Sequence, residues 1–455
     1  MLALAALAGP AAAAPSARDK AHIAAIENGL LPAVVIEGRP LPTRTLGERM
    51  RADRVPGVSI AFFENGHIEW VKAYGVADVA SGRRVTPETL FQAASISKSL
   101  TATAALRLVQ DGKLDLDQDV NTRLKGWKVP DSAFTARRKV TLRALLSHTA
   151  GLTVHGFPGY APGAHWDYSG GGYVIVQLMM TEATGQAFPH LMRQLVLEPA
   201  GMTRSTFDHP LPPALKGEAA TGYDPAGRPL PGGGRVFPEL APAGLWTTPT
   251  DLAHFAIAVQ NANTGASHAI LTQASARAMM TRRLGHWGLG VNLGPPGGPE
   301  RFSHSGGNPG FVSDFVAFTG GSRQGVAIMT NGVDDDLVGD IVRAVSRSYG
   351  WPVMGPAEID AVRLSAAQLA ALVGVYEGAD GDKVTVTVTA SGGRLYAFVP
   401  EELDHEEAEL APRTPTEFVA VADDTEVEFT IGAGGKASKM AVDGASLTRI
   451  TDAPL

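Results

Sequence analysis

The sequence predicts an α+β protein: an antiparallel sheet with flanking helices, interrupted by an all-helical lobe and followed by a small C-terminal β-barrel. Three observations carry this expectation. Strand patterns occur near residue 57 and again near residue 311, helical periodicity fills the span between them, and short alternating runs occupy the chain beyond Leu364. At 455 residues the chain exceeds what one hydrophobic core usually supports, so more than one domain is expected.

The elements follow in chain order. Leu46 to Arg51 falls in a first helix. Gly57 to Phe63 is rich in β-formers and runs into Asn65-Gly66, the strongest short hairpin signal, which makes His67 to Gly75 its partner strand. From Ser95 to Gly112 the residues Leu100, Ala102, Ala104, Ala105, Leu106, Leu108 and Val109 are apolar on almost every side. That describes a helix buried all round, ended by Gly112. Val174, Ile175, Leu178 and Met179 form one face of another helix, stopped by Gly185. Leu252, Phe255, Ala256 and Val259 form a third, opened by Thr248, Pro249 and Asp251 in the manner of a capping box with proline at the first helical position. Strand patterns return from Phe311 to Met329. A linker is expected at Trp351 to Glu358, where Pro352, Gly355 and Pro356 interrupt the periodicity. Beyond it Val384 to Val388, Leu395 to Val399, Phe418 to Val421 and Val427 to Ile431 alternate between glycine and acidic turns. The expected division is a signal peptide or disordered start over 1–17, a main domain over 18–355 and a barrel over 356–455.

Composition narrows the function classes. An apolar fraction of 44% and a charged fraction of 19% are those of a soluble globular protein. The net charge is −7 and Lys and Arg are scattered, which leaves no basic stripe for nucleic acid or an anionic membrane. The absence of cysteine excludes disulfides, thiolate metal sites and a cysteine nucleophile. No His-Glu-x-x-His spacing and no Gly-x-Ser-x-Gly elbow occurs, so neither a metal nor a cofactor is expected, and an α/β-hydrolase is disfavoured. The alanine-rich stretch from Met1 to Ala14 is too short to span a bilayer and leads into small residues at Ala12, Ala14 and Ala17 that suit signal-peptide cleavage, although no basic segment precedes it. The expected location is periplasmic or secreted, with no membrane span; a homo-oligomer is left open.

The chemistry concentrates in three segments. Ser95-Ile96-Ser97-Lys98 is the only Ser-x-x-Lys in the chain and opens the buried helix. Residues three apart share a helical face, so Lys98 can lie beside the Ser95 hydroxyl, and the helix start offers N–H groups to an oxyanion. A lysine in a dry pocket can lose its proton near neutral pH and, with a tyrosinate or water, act as the base that serine needs. Alone the motif is weak, because any serine cap followed by lysine matches it. Tyr168-Ser169-Gly170 sits in a glycine-rich loop before a helix, where a tyrosine hydroxyl can point into a cleft or, alternatively, the ring simply packs on the core. His304-Ser305-Gly306-Gly307 describes a small-residue edge strand on which a substrate backbone can pair. His286-Trp287-Gly288 also fits His-x-Gly, but Trp287 is expected to obstruct the close approach that the neighbours of His304 allow. His148 is a triad base by type alone. The acidic group Glu401, Glu402, Asp404, Glu406 and Glu407 reads as a solvated loop before a cation site.

In this order and spacing the three motifs resemble the serine β-lactamase and penicillin-binding-protein superfamily, in its class C-related branch of β-lactamases, D-Ala-D-Ala carboxypeptidases, D-aminopeptidases and esterases. The phrases Leu145-Leu-Ser-His-Thr-Ala-Gly-Leu152, Gly244-Leu-Trp-Thr-Thr-Pro249 and Gly307-Asn-Pro-Gly-Phe311 also look like that branch. The resemblance implies a β-lactamase/transpeptidase-like fold, with Ser95 as acylated nucleophile, Lys98 as its proton partner, and Tyr168 as general base and later general acid. It implies that His304 replaces the third-motif lysine, that the N–H groups of Ser95 and Gly307 form the oxyanion hole, and that Ser305, Gly306 and Gly170 line the substrate. It also replaces the triad-base reading of His148 with a structural turn beside a helix end. The C-terminal segment resembles the lipocalin-like barrels appended to some of these peptidases. The implied activity is metal-free hydrolysis of a small-molecule or peptide substrate through an acyl-enzyme, with D-amino-acid peptides and small esters foremost. β-Lactam hydrolysis is the alternative, and a non-catalytic penicillin-recognising binding or sensor protein the alternative of another class. Two departures weigh against β-lactams: Gly170 stands where the family often has asparagine, and His304 where β-lactamases usually have lysine.

Overall fold

A computed structural model describes residues 15–153, 158–378, 384–399 and 407–452. Residues 1–14 of the expected signal peptide, and Glu401, Glu402, Asp404 and Glu406, lie outside them. The chain divides into two compact units, Met1–Asp19 with Val55–Asp334, and Lys20–Arg54 with Asp335–Leu455. The boundary expected at residue 355 falls within the second unit.

In the first unit, local turn chemistry and burial produce a six-stranded antiparallel sheet. Asn65 and Gly66 both have positive φ, 52° and 84°, the backbone that a two-residue hairpin of right-handed twist requires, and they join strands Gly57–Glu64 and His67–Asp78. Every residue of Gly57–Glu64 is buried. On its other side this strand pairs with Gly325–Thr330, which is followed outward by Phe311–Phe318 and then by Arg301–Asn308 at the edge. The sheet is therefore assembled from two distant stretches of chain, with the helical lobe between them in sequence.

The helix Ser97–Gln110 buries residues on all sides and ends before Gly112, whose φ is 68°. It begins two residues later than the sequence suggests. Ala94–Ile96 forms a separate 3₁₀ turn, and Ala94 holds a φ of 47°, a conformation that costs a residue with a Cβ. Helix Gly170–Thr184 stops at Gly185, with φ 70°. Helix Pro249–Thr264 packs on the sheet and opens at Thr248, whose hydroxyl accepts the Asp251 N–H at 3.1 Å. The expected reciprocal box is absent. Asp251 instead accepts from the Arg204 N–H at 2.9 Å and the Ser205 hydroxyl at 2.7 Å, which turns its carboxylate away from the cap.

The second unit contains a closed barrel of eight antiparallel strands, from Gly374–Gly378 to Ala445–Thr451. Four strands are the alternating runs of the sequence: Thr385–Ser391, Arg394–Phe398, Glu417–Ala420 and Glu426–Ile431. The first and last strands pair, so no edge is left to template association. Tyr376, Val388, Leu395, Leu410, Phe418, Phe429, Met440 and Leu447 fill the interior, as small barrels require. Among the described residues no helix is long and apolar enough to cross a membrane.

Candidate active site

All eight residues singled out in the sequence lie in the first unit, and the structure brings Ser95, Lys98, Tyr168 and His304 together. Ser95 sits in the 3₁₀ turn just before the buried helix and is half-buried between fully buried neighbours. One helical turn on, Lys98 places Nζ 3.0 Å from Ser95 Oγ and 2.9 Å from the carbonyl oxygen of Pro242. That carbonyl is free to accept because Pro242 lies in the short helix Leu240–Ala243, whose last carbonyls have no intrahelical partner. Burial leaves Lys98 2% exposed and lowers its pKa from 10.5 to about 7. No carboxylate pairs with it among the described residues. Neutral Lys98 has two N–H groups and one lone pair, which suits donation to Pro242 and acceptance from Ser95.

The turn that carries Ser95 is held by neighbouring hydroxyls. Ser97 Oγ donates to the Ala94 carbonyl at 2.5 Å and accepts the Leu245 N–H at 3.0 Å. Ser99 Oγ donates to the Gly290 carbonyl and Thr101 Oγ1 to that of Ala241. The edge strand meets the same turn. A methyl group on Gly306 would stand 2.3 Å from the Ala93 oxygen and 2.9 Å from the Ser95 nitrogen, so only glycine lets the strand come this close. Gly307 has open space around it. Ser303 exchanges both backbone hydrogen bonds with Asn292 on the outer side of this strand. By strand alternation Ser305 and Gly307 also turn their N–H and C=O groups outward, away from the sheet.

Tyr168 covers Lys98, whose Nζ lies 4.7 Å from the ring centroid. Burial pushes the phenol up to about 12, against the pull of the adjacent Ser95 hydroxyl, and its oxygen makes no hydrogen bond of standard geometry. Two buried histidines flank it. His148 follows helix Leu142–Leu146 at a φ of 57° and stacks on Tyr168 with ring centroids 4.4 Å apart. Its Nδ1 accepts the Ser169 N–H at 3.1 Å, so Nε2 carries the proton. His304 has the opposite tautomer. Its Nδ1 lies 2.6 Å from the Ser305 carbonyl, which can only accept, so Nδ1 is protonated and Nε2 presents a lone pair. Neither Nε2 has a partner. Burial, with the Lys98 charge second, pulls His304 down to about 3, and burial holds His148 well below its usual range. Both rings are neutral at pH 7. Gly170 opens helix Gly170–Thr184 with no atom within 4 Å of where a Cβ would stand.

The aromatic surround of Tyr168 was not legible in the sequence. Trp287, set aside there as an obstruction, packs on His304 at 5.2 Å and on Tyr168 at 5.9 Å, and Trp166 stacks on Trp287 at 5.6 Å. His286, beside it, is exposed. His148 stands beside Tyr168 as a support of the loop that carries it. The only signal for these residues was their type, since the contacts join three segments far apart in sequence. No cluster able to hold a metal ion is present among the described residues.

Residues 43–347 match the family profile described as Beta-lactamase. Curated relatives include a "Beta-lactamase" of Pseudomonas fluorescens, 29% identical over 48% of this chain and 63% of that protein. "Protein flp" of Staphylococcus aureus is 25% identical over 44% of this chain. The chain spans 43% of flp, so it covers less than two thirds of these relatives' lengths. "Penicillin-binding protein 4" of Amycolatopsis lactamdurans is 27% identical over 72% of this chain and 94% of that protein. Among solved structures, the octameric penicillin-binding protein homologue from Pyrococcus abyssi aligns with a TM-score of 0.58 at 21% identity, covering 89% of this chain and 98% of that one. D-alanine carboxypeptidase AmpC from Burkholderia cenocepacia aligns at 0.56 and 24%, covering 67% and 96%. These likenesses show a shared β-lactamase-like fold. With the profile spanning more than half of its length, the chain belongs to the beta-lactamase family.

Proposed function

We propose that the protein is a serine hydrolase that cleaves ester or amide bonds through an acyl-enzyme on Ser95, with small esters and D-amino-acid peptides preferred over β-lactams. The observation that carries this is a buried lysine with a pKa of about 7, 3.0 Å from a half-buried serine hydroxyl and without a carboxylate counter-ion. A module that binds without being acylated has no use for so costly an arrangement. In this mechanism neutral Lys98 takes the Ser95 proton as Oγ attacks the carbonyl carbon, and the N–H groups of Ser95 and Gly307 receive the developing oxyanion. Tyr168, with its phenol pushed up to about 12, stays protonated at neutral pH, so in place of the general-base role that the resemblance implies it keeps only the role of acid: it relays a proton to the leaving atom, and the acyl-enzyme is then hydrolysed by water along the reverse path. No step calls on a metal or cofactor. The relative named as a β-lactamase supports β-lactam hydrolysis as the second reading, against which Gly170 and His304 both weigh. The alanine-rich residues 1–14 support export as part of the same proposal.

The test is intact and peptide mass spectrometry after exposure to p-nitrophenyl acetate, a D-Ala p-nitroanilide and a chromogenic cephalosporin. An acyl adduct confined to the peptide bearing Ser95 is expected from the first two. Turnover without any adduct there, and undiminished in Ser95→Ala, would overturn the proposal.

A further inference from the structure

Trp166, Trp287 and His304 gather around the ring of Tyr168, at 6.4, 5.9 and 6.1 Å between centroids. Trp166 is 38% exposed, unusual for an indole beside a buried site, and its ring lies 6.4 Å from Tyr168 and 5.6 Å from Trp287 in a stacked arrangement. Trp287 is half-buried and contacts both Tyr168 and His304 edge-on or tilted. If Tyr168 protonates the leaving atom, the group that departs must lie within hydrogen-bond reach of its hydroxyl and so against these two indoles. The polar groups on this side are a bare acceptor, His304 Nε2, whose lone pair repels a carboxylate and accepts from a hydroxyl or amide, and a bare donor, His148 Nε2, whose ring sits against Trp287; both rings are neutral, so neither supplies a charge to hold a carboxylate.

We infer that Trp166, Trp287 and His304 form a leaving-group subsite selective for an uncharged aromatic ring carried on the alcohol or amine portion of the substrate. Indole faces offer a ring offset-stacked or edge-to-face contact, which contributes beyond the area buried. The acyl portion is bound elsewhere and need not be aromatic. This inference rests on the acyl-enzyme reading above, because it is Tyr168's role as proton donor that assigns these residues to the leaving group.

The test compares three acetate esters that form the same acetyl-enzyme and differ only in the alcohol: ethyl, benzyl and 4-carboxybenzyl. The ratio kcat/KM reports binding and acylation only, so, divided by each ester's rate with hydroxide to remove intrinsic reactivity, it isolates the subsite. Benzyl acetate is expected to exceed ethyl acetate by about fivefold or more, as one aromatic contact provides. Trp166→Ala and Trp287→Ala should each reduce that preference, whereas Trp166→Phe, which keeps a ring, should retain most of it. The 4-carboxybenzyl ester should be disfavoured in the natural protein and recovered in His304→Lys. Equal rates for ethyl and benzyl esters, or a benzyl preference untouched in both tryptophan variants, would overturn the inference while leaving the hydrolase reading intact. If no ester is hydrolysed, the hydrolase reading falls, and calorimetric titration of Ser95→Ala with benzyl acetate still decides the subsite: binding lost in the Trp166→Ala background supports it, and no binding overturns it.

Discussion

Around Lys98 the polar groups are paired: Nζ with Ser95 and Pro242, Ser97 with Ala94 and Leu245, Ser99 with Gly290, Thr101 with Ala241. Around Tyr168 they are less so: the phenol oxygen meets the Ser95 hydroxyl outside standard hydrogen-bond geometry, and the buried Nε2 atoms of His148 and His304 have no protein partner among the described residues. The difference teaches a division of labour within one pocket. The paired side fixes Ser95 and Lys98 in place. The other side presents a donor at His148 and an acceptor at His304, without a protein partner among the described residues, beside exposed indole.

The sharpest way to break the comparison is to remove the nucleophile. Ser95→Ala should lower kcat by about a thousandfold or more on any hydrolysed substrate, as loss of an acylated serine does elsewhere, and should leave the folded spectrum unchanged because Oγ contributes little packing. Retained activity would move the nucleophile elsewhere. The next largest effect concerns pH. If Lys98 must be neutral to accept the proton, kcat/KM should rise with pH and level off above about 7, with about a tenfold loss per unit on the acid side. A profile flat from pH 5 to 8 would remove Lys98 as acceptor.

The same groups link pH to stability with a definite sign. Native His304 holds its proton only below about 3, whereas the unfolded residue binds one near 6.5. The unfolded chain therefore carries more protons between these values, and stability should fall as pH drops from 6.5 towards 3. Lys98, native near 7 and unfolded near 10.5, acts in the same direction over the higher window, so stability should rise from pH 7 to 10.5 on its account. Chemical denaturation across pH, with His304→Gln and Lys98→Met as references, measures each contribution.

Two adjacent glycines sharpen the boundary between the tight and the open side. Gly306→Ala places a methyl against Ala93 and Ser95, and this overpacking should cost about 1–3 kcal/mol and displace the nucleophile, lowering kcat with stability. Gly307→Ala meets open space and should fold normally. Equal melting temperatures for the two variants would show that the strand does not press on the serine turn.

The parts of this architecture that the sequence declares are those with local causes. Asn65-Gly66 names its own turn, Gly112 and Gly185 stop their helices through left-handed φ, and the run from Leu100 to Val109 is apolar on every face because the helix is buried on every face. The barrel was half legible. Strands Gly374–Gly378 and Ala408–Pro412 carry glycine or proline at their ends, and Ala437–Val442 and Ala445–Thr451 turn polar residues such as Lys439 and Thr448 outward, so their alternation is faint and only pairing reveals them. In the site, Ser95 and Lys98 are tied by helical spacing, which sequence displays. His148 and Trp287 meet Trp166 only because two other segments converge on the loop that carries Trp166 and Tyr168. Ala94 escaped for another reason, since nothing about an alanine announces a positive φ.

The smallest effect expected is also the one that bears on substrate class. Gly170 occupies the first position of helix Gly170–Thr184, and no atom lies within 4 Å of where its Cβ would be. Its φ is not in the left-handed region, so a side chain meets neither steric nor backbone resistance there. Gly170→Asn should therefore fold as well as the natural protein and restore the amide that relatives often hold against a substrate. One such hydrogen bond is worth about 0.5–1.5 kcal/mol, a gain of about two- to twelvefold in kcat/KM for a substrate that offers the matching amide group. A chromogenic cephalosporin and a D-Ala p-nitroanilide carry that group, whereas p-nitrophenyl acetate does not, so the first two should gain and the ester should stay level. A uniform rise across all three would mean that the asparagine acts on the Tyr168 loop rather than on substrate. A cephalosporin rate that already exceeds the ester rate in the natural protein, and does not change in the variant, would show that neither Gly170 nor His304 limits β-lactam turnover, and the β-lactamase reading would then take the lead.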